Sequence, residues 1–162
     1  MKAVETRRAQ GGFAIAVTAP KDGLPSVLLD ATAMTQVFVN LLDNAMKYSG
    51  SCRQVLVTLR RCGDEVAVAV VDRGIGVAPD DQRRIFDEFY RSAAASERAP
   101  GTGLGLAIAR HVVEAHRGRI EVESVLGQRT AFTVLLPVAL TFAPQRFRVS
   151  PVVDGAQIEA GA

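Results

Sequence analysis

Hydrophobic positions fall into two periods along this chain. Met34, Val37, Phe38, Leu41, Leu42 and Ala45 recur at spacings of three and four, which predicts an amphipathic helix. Asp30 or Thr32 is placed to cap its start, and Ser49-Gly50-Ser51 ends it. Leu104, Ile108, Val112 and Ala115 repeat the helical spacing after Gly101-Thr102-Gly103-Leu104-Gly105, and that helix stops near Gly118. Alternating or β-branched runs predict strands over residues 13–18, 54–60, 65–71, 120–125 and 131–136, with a further short strand at 27–29 after a turn at 20–25. Cys62-Gly63-Asp64 reads as the tip of a hairpin, and residues 79–86 as a short helix with Pro79 in its first turn. Residues 92–100 are rich in Ala and Ser without an apolar stripe, and read as a mobile connection.

The order of strand, helix, hairpin, helix and strands predicts an α/β fold: a mixed sheet with helices packed on one face. Residues 1–137 read as one domain. Residues 138–162 show no strong periodicity and carry Pro144, Pro151 and closing Gly and Ala residues, so they read as a loosely structured or disordered tail. Composition changes little: 162 residues, 48% hydrophobic and 22% charged, are ordinary for a globular chain. A net charge of +2 gives no reason to expect nucleic acid. The longest apolar run, residues 134–143, is interrupted by Pro137 and too short to span a bilayer, so the expectation is a cytoplasmic protein without membrane contact of its own. Cys52 and Cys62 sit in or beside strands and read as free thiols.

Three features carry candidate chemistry. Asn40, Asn44 and Lys47 lie at i, i+4 and i+7 of the first helix and form one polar stripe beside its apolar face, suited to holding an anion. Gly101, Gly103 and Gly105 open a helix with free backbone N–H groups and a positive dipole end, a site where backbone can approach phosphate. Asp72 closes a strand beside Gly74 and Gly76 and is able to accept from an exocyclic amine. A dinucleotide loop should follow a strand directly, whereas a polar loop precedes these glycines; GxxxxGK[ST] is absent from the chain. Together the three point to a nucleotide site of another kind.

With those residues in place, the chain resembles the catalytic ATP-binding domain of sensor histidine kinases, in the superfamily that includes DNA gyrase, MutL and heat-shock chaperone ATPases. Residues 40–49 look like the N box, 72–77 like the first glycine box, 86–91 like the F box and 101–106 like the second glycine box, in the family's order. The resemblance implies a two-layer α/β sandwich of the Bergerat type, with ATP and Mg²⁺ as cofactors. It implies that Asn44 binds Mg²⁺, that Asn40 and Lys47 face the phosphates, that Tyr48 lies near the nucleotide and that Asp72 accepts from the adenine amine. Gly74 and Gly76 would shape the adenine pocket, with Thr130 supporting it from the last strands. Arg91 would reach the terminal phosphate from the base of a lid at 92–100. Gly101, Thr102, Gly103, Leu104, Gly105 and Leu106 would form the phosphate-facing loop. Asn40, Lys47 and Arg91 are the residues expected to act in transfer.

The resemblance also speaks to mechanism. Where the gyrase and MutL branches carry a water-activating Glu, this chain has Asn40, an amide that takes up no proton at neutral pH. Asp43 lies about 60° around the helix from Asn40 and is not expected to replace it. Slow hydrolysis and transfer to a nucleophile from elsewhere are expected. His111 and His116 are the two histidines of the chain, about 140° apart on one helix, and neither matches an acceptor motif; both read as ordinary helix residues. The acceptor histidine is therefore expected on a separate helical dimerisation domain, with a response regulator downstream, the chain being an excised catalytic domain or half of a split kinase. An anti-sigma-type serine kinase and a regulatory nucleotide-binding module are the alternatives. Arg117 and Arg129 stand where the family often has glycine, and backbone strain is expected at either.

Overall fold

The computed structural model describes residues 2–8 and 12–139. The elements run β1 (Lys2–Arg8), β2 (Ala14–Pro20), α1 (Ala31–Tyr48), β3 (Gln54–Cys62), β4 (Glu65–Asp72), α2 (Pro79–Gln82), α3 (Ala93–Arg98), α4 (Gly105–Ala115), β5 (Arg119–Val125) and β6 (Arg129–Pro137). The strands form one sheet in the order β1-β2-β3-β4-β6-β5. β2 and β3 run parallel across the α1 crossover, and the other neighbouring pairs are antiparallel. The expected mixed, mostly antiparallel sheet is therefore present, with β1 as a strand that the periodicity did not give. β1, Lys-Ala-Val-Glu-Thr-Arg-Arg, has too many charges to declare itself and becomes a strand by pairing with β2.

The core lies between the sheet and helices α1 and α4. Met34, Val37, Leu41 and Ala45 of α1 meet Ala109 and Val113 of α4 above Val55, Val70, Phe132 and Val134. These side chains are buried, each worth about 1.5–3 kcal/mol for a Val, Leu, Phe or Met relative to exposure. Asp30 rather than Thr32 caps α1: its Oδ1 accepts from the N–H of Thr32 at 2.8 Å and of Ala33 at 3.0 Å. Those two backbone bonds, Ala33 first, hold its carboxyl below the usual aspartate range.

Several local expectations change. Residues 27–29 form no strand; Val27 makes a single bridge to Val138. The N–H of Val138 donates to Asp64 O at 2.9 Å, and that of Ala139 to Ser26 O at 2.8 Å. The remainder of the expected tail, residues 140–162, lies outside the described residues. Within 79–86 the helix is confined to Pro79–Gln82, followed by turns. The connection at 92–100 contains α3, capped by Ser92 Oγ, which accepts from Ala95 N–H at 3.2 Å.

Arg117 does adopt a left-handed φ of +57°. It ends α4 in a Schellman turn: its N–H donates to Glu114 O at 2.9 Å and that of Gly118 to Val113 O at 3.0 Å. Arg129, by contrast, is an extended strand residue, because Gly127 takes the positive φ of that turn. Cys52 and Cys62 are free and half-buried. Among the described residues no helix is long and apolar enough to cross a membrane.

Candidate active site

β4 delivers Asp72 to one end of a cavity of about 270 Å³ bounded by α1, the 72–77 turn, β6, the lid and the start of α4. Asp72 is 3% exposed, and its Oδ1 has no hydrogen-bond partner. Burial pushes its carboxyl up to about 6, against the opposing pull of the Gly74 N–H and its own N–H. Ser49 Oγ, buried at the end of α1, is likewise without a partner, and both groups adjoin Gly74. An orphaned buried acceptor in a pocket is unfavourable unless a ligand or water completes it.

Thr130 pairs with Asp72 across the β4–β6 ladder and is buried. Ser124 Oγ donates to Arg129 O at 2.8 Å and lies 3.1 Å from Thr130 Oγ1. With the serine proton committed, Thr130 is the donor of that second bond. Ser124 Oγ also accepts the Val77 N–H at 2.8 Å, which ties the glycine turn to β5.

Two glycines make the pocket wall possible. A Cβ on Gly74 would stand 1.9 Å from Tyr48 O, the acceptor of the Ile75 N–H at 3.1 Å. A Cβ on Gly76 would stand 2.3 Å from Val125 O, and its φ is +66°. The turn therefore lies directly against the end of α1, which brings Asp72 and Tyr48 to one cavity.

At the other end, the α1 stripe faces the start of α4. Asn40 Nδ2 donates to Gly105 O at 3.0 Å, and its Oδ1 accepts from Gln36 at 3.0 Å. Lys47 pairs with Asp43 at 2.6 Å, an exposed contact worth about 0–1 kcal/mol. Asn44 makes no side-chain hydrogen bond among the described residues and lines the cavity. α4 begins without a side-chain cap, so its first N–H groups remain available at the positive end of the helix dipole. Gly103, at φ +75°, lies so close to the F box that a Cβ would stand 2.7 Å from Phe89 C.

The lid folds over this end. Arg91 donates to Ala95 O at 2.8 Å and also to Ala99 O, so the guanidinium expected at a terminal phosphate is turned into α3. The F box is anchored by Phe86, edge-on to Phe132 at 6.2 Å, and by Tyr90, whose hydroxyl donates to Asp81 at 2.6 Å beneath the Arg84 guanidinium.

All the residues singled out from the sequence line this cavity except Gly74, which lies behind the wall, and Leu104, the N-cap of α4. The sequence reading assigned no role to the apolar lining of Ile75, Val77, Ile85 and Phe132: the first two stand inside the glycine turn, and the expected helix and strand placement of Ile85 and Phe132 marks them only as core. It also missed His116. That residue is no ordinary helix position: its Nε2 accepts from the Asp30 N–H at 2.9 Å, while Nδ1 lies 2.7 Å from Val112 O. Asp30 and His116 are 86 residues apart, and no local pattern announces the contact.

Comparison with known proteins gives the same picture. Residues 29–140 match the family described as histidine kinase-, DNA gyrase B-, and HSP90-like ATPase. The chain is 44% identical over 115 residues to the sensor-like histidine kinase SenX3 of Mycobacterium bovis, covering 70% of this chain and 28% of that protein. It is 42% identical over 120 residues to the adaptive-response sensory kinase SasA of Parasynechococcus marenigrum, covering 74% and 31%. The chain thus spans less than a third of these curated relatives. Among solved structures, the mycobacterial sensor histidine kinase MprB superposes with a TM-score of 0.66 at 30% identity, covering 76% of this chain and 80% of that one. Full-length ShkA in complex with AMPPNP superposes at 0.67 with 34% identity, covering 76% and 25%. The chain belongs to the histidine kinase-, gyrase- and HSP90-like ATPase family, and within it to the catalytic domains of sensor histidine kinases.

Proposed function

We propose that this domain binds Mg²⁺-ATP and transfers the γ-phosphate to a histidine on a separate helical dimerisation and phosphoacceptor domain, on the cytoplasmic side of a two-component pathway ending at a response regulator. The observation that carries the reading is the polarity of the cavity. A buried, unpartnered carboxylate oxygen at one end suits the amine of adenine, and an uncapped helix start facing an amide-and-ammonium stripe suits phosphates at the other. The AMPPNP complex of ShkA, a relative with the same fold, supports it.

In this reading Asp72 accepts from the adenine amine. Thr130, Gly76 and the apolar lining hold the ring, and Tyr48 borders the nucleotide. The N–H groups at 103–106 meet the phosphates. Lys47 exchanges Asp43 for phosphate, and Arg91 exchanges the α3 carbonyls for the terminal group. Among the described residues no cluster of three or more His, Cys, Asp or Glu forms a metal cage. A neutral oxygen donor such as Asn44 beside a phosphate site fits Mg²⁺, which retains waters and takes phosphate oxygens as ligands. Bound there, the ion neutralises phosphate charge. Asn40, hydrogen-bonded on both sides and unable to accept a proton, leaves water unactivated, so the γ-phosphate persists for an incoming imidazole.

The test supplies the chain with radiolabelled ATP, Mg²⁺ and a purified acceptor-helix domain from a cognate kinase. Acid-labile, base-stable label on the acceptor is expected. Acid-stable label would favour serine transfer, and ATP binding without transfer to any acceptor would leave a regulatory module.

A further inference from the structure

The cavity is walled by two helices that, beside their core packing, are fastened to each other by two hydrogen bonds among the described residues. One is the bond from Asn40 Nδ2 to Gly105 O inside the site. The other is remote: the Asp30 N–H, just before α1, donates to His116 Nε2 at the C-cap of α4. Asn40 lies ten residues beyond Asp30, and His116 eleven beyond Gly105. At 1.5 Å per residue the fastenings are about 15–17 Å apart on both helices. Equal spans leave the antiparallel pair little freedom to slide or splay.

The ring's protonation pattern follows from its partners. Val112 O only accepts, so Nδ1 carries the hydrogen, and Nε2 must be bare to receive the Asp30 N–H. The same Asp30 caps α1 through its carboxylate, so one residue both starts α1 and binds it to the end of α4.

We propose that His116 is a positioning residue for the phosphate half of the site: as the neutral Nδ1–H tautomer it clips α4 to α1 and thereby sets the distance between the Asn40–Asn44–Lys47 stripe and the α4 N-terminus. The adenine half, formed by Asp72, Thr130 and the 72–77 turn, is built on β4, β6 and the end of α1 and does not depend on that distance. The proposal rests on the reading that the cavity takes ATP.

The experiment compares the full chain with His116→Leu, which removes both bonds, and His116→Gln, whose amide offers a donor and an acceptor in place of the two ring nitrogens. Affinities for AMPPNP and for adenosine are measured by calorimetry below each variant's melting temperature. His116→Leu should weaken AMPPNP about tenfold, the scale of an ordinary coupling between sites, with adenosine nearly unchanged. His116→Gln should restore most of the loss. A lower melting temperature with an unchanged AMPPNP-to-adenosine ratio would make the residue merely structural and overturn the proposal.

Two measurements on the wild type hold if His116→Leu does not fold. Ring ¹⁵N shifts should report the Nδ1–H tautomer, and hydrogen exchange at the Asp30 amide should slow with AMPPNP more than with adenosine, since coupling is reciprocal. An Nε2–H tautomer, or equal slowing by both ligands, refutes the clip. A wild type that binds neither ligand sinks the ATP reading itself, together with this one.

Discussion

Replacing Asp72 by Asn should make the domain more stable and a worse receptor at the same time. In the folded chain burial raises this carboxyl from 3.8 to about 6. The shift corresponds to about 3 kcal/mol, and at 3% exposure solvent screening removes little of it. Because the folded value lies above the unfolded one, the favourable contribution is complete below pH 4 and is lost as pH rises to about 6. At pH 7 the wild type therefore carries the full cost of an ionised group in a buried place, and Asn carries none. Urea unfolding without nucleotide should show the variant gaining on the wild type by up to about 3 kcal/mol between pH 4 and pH 7.

Binding moves the other way. An Asn turns its carbonyl towards the Gly74 N–H and its NH₂ towards the amine it should receive. Loss of one charge-assisted bond, about 1.5–3 kcal/mol, weakens ATP roughly ten- to hundredfold in calorimetry. Wild-type affinity should itself rise from pH 5 to pH 7 as the acceptor ionises. A stability difference that is flat with pH, or an unchanged ATP affinity, would refute the reasoning.

Other substitutions test the walls and the lid. Gly74→Ala places a methyl 1.9 Å from Tyr48 O and should destabilise the fold by at least about 1–3 kcal/mol, visible as a lower melting temperature and lost nucleotide binding. Arg117→Gly relieves a left-handed arginine and should stabilise by about 1 kcal/mol in urea; an unchanged midpoint would mean that the side chain compensates elsewhere. Arg91→Ala removes the bonds to Ala95 and Ala99, so amide exchange across residues 92–100 should quicken about tenfold, whereas equal protection would show that α3 holds without it.

The parts of the site legible in the sequence are those whose spacing is their geometry. Asn40, Asn44 and Lys47 share a face because a helix has 3.6 residues per turn, and Asp72 with its glycines closes a strand that alternation had already marked. What escaped depends on competition or distance. α3 carries the signs of a helix, a Ser cap before three alanines, yet lacks an apolar stripe because it covers a cleft rather than a core. The pairing of Lys47 with Asp43 and of Arg91 with its own lid is a choice among rotamers that no periodicity encodes. The Asp30–His116 contact joins chain segments 86 residues apart.

The bond from Asn40 to Gly105 also constrains how such a domain changes its trade over evolutionary time. It needs an N–H at position 40, which a glutamate of the water-activating branches does not have. Asn40→Glu would set a carboxylate oxygen against the Gly105 carbonyl and push apart the helices it is meant to serve. Every residue at position 105 carries that carbonyl, so no second substitution there removes the clash. A lineage that alters position 40 must also shift the start of α4 against α1, and meets a damaged site before a new one.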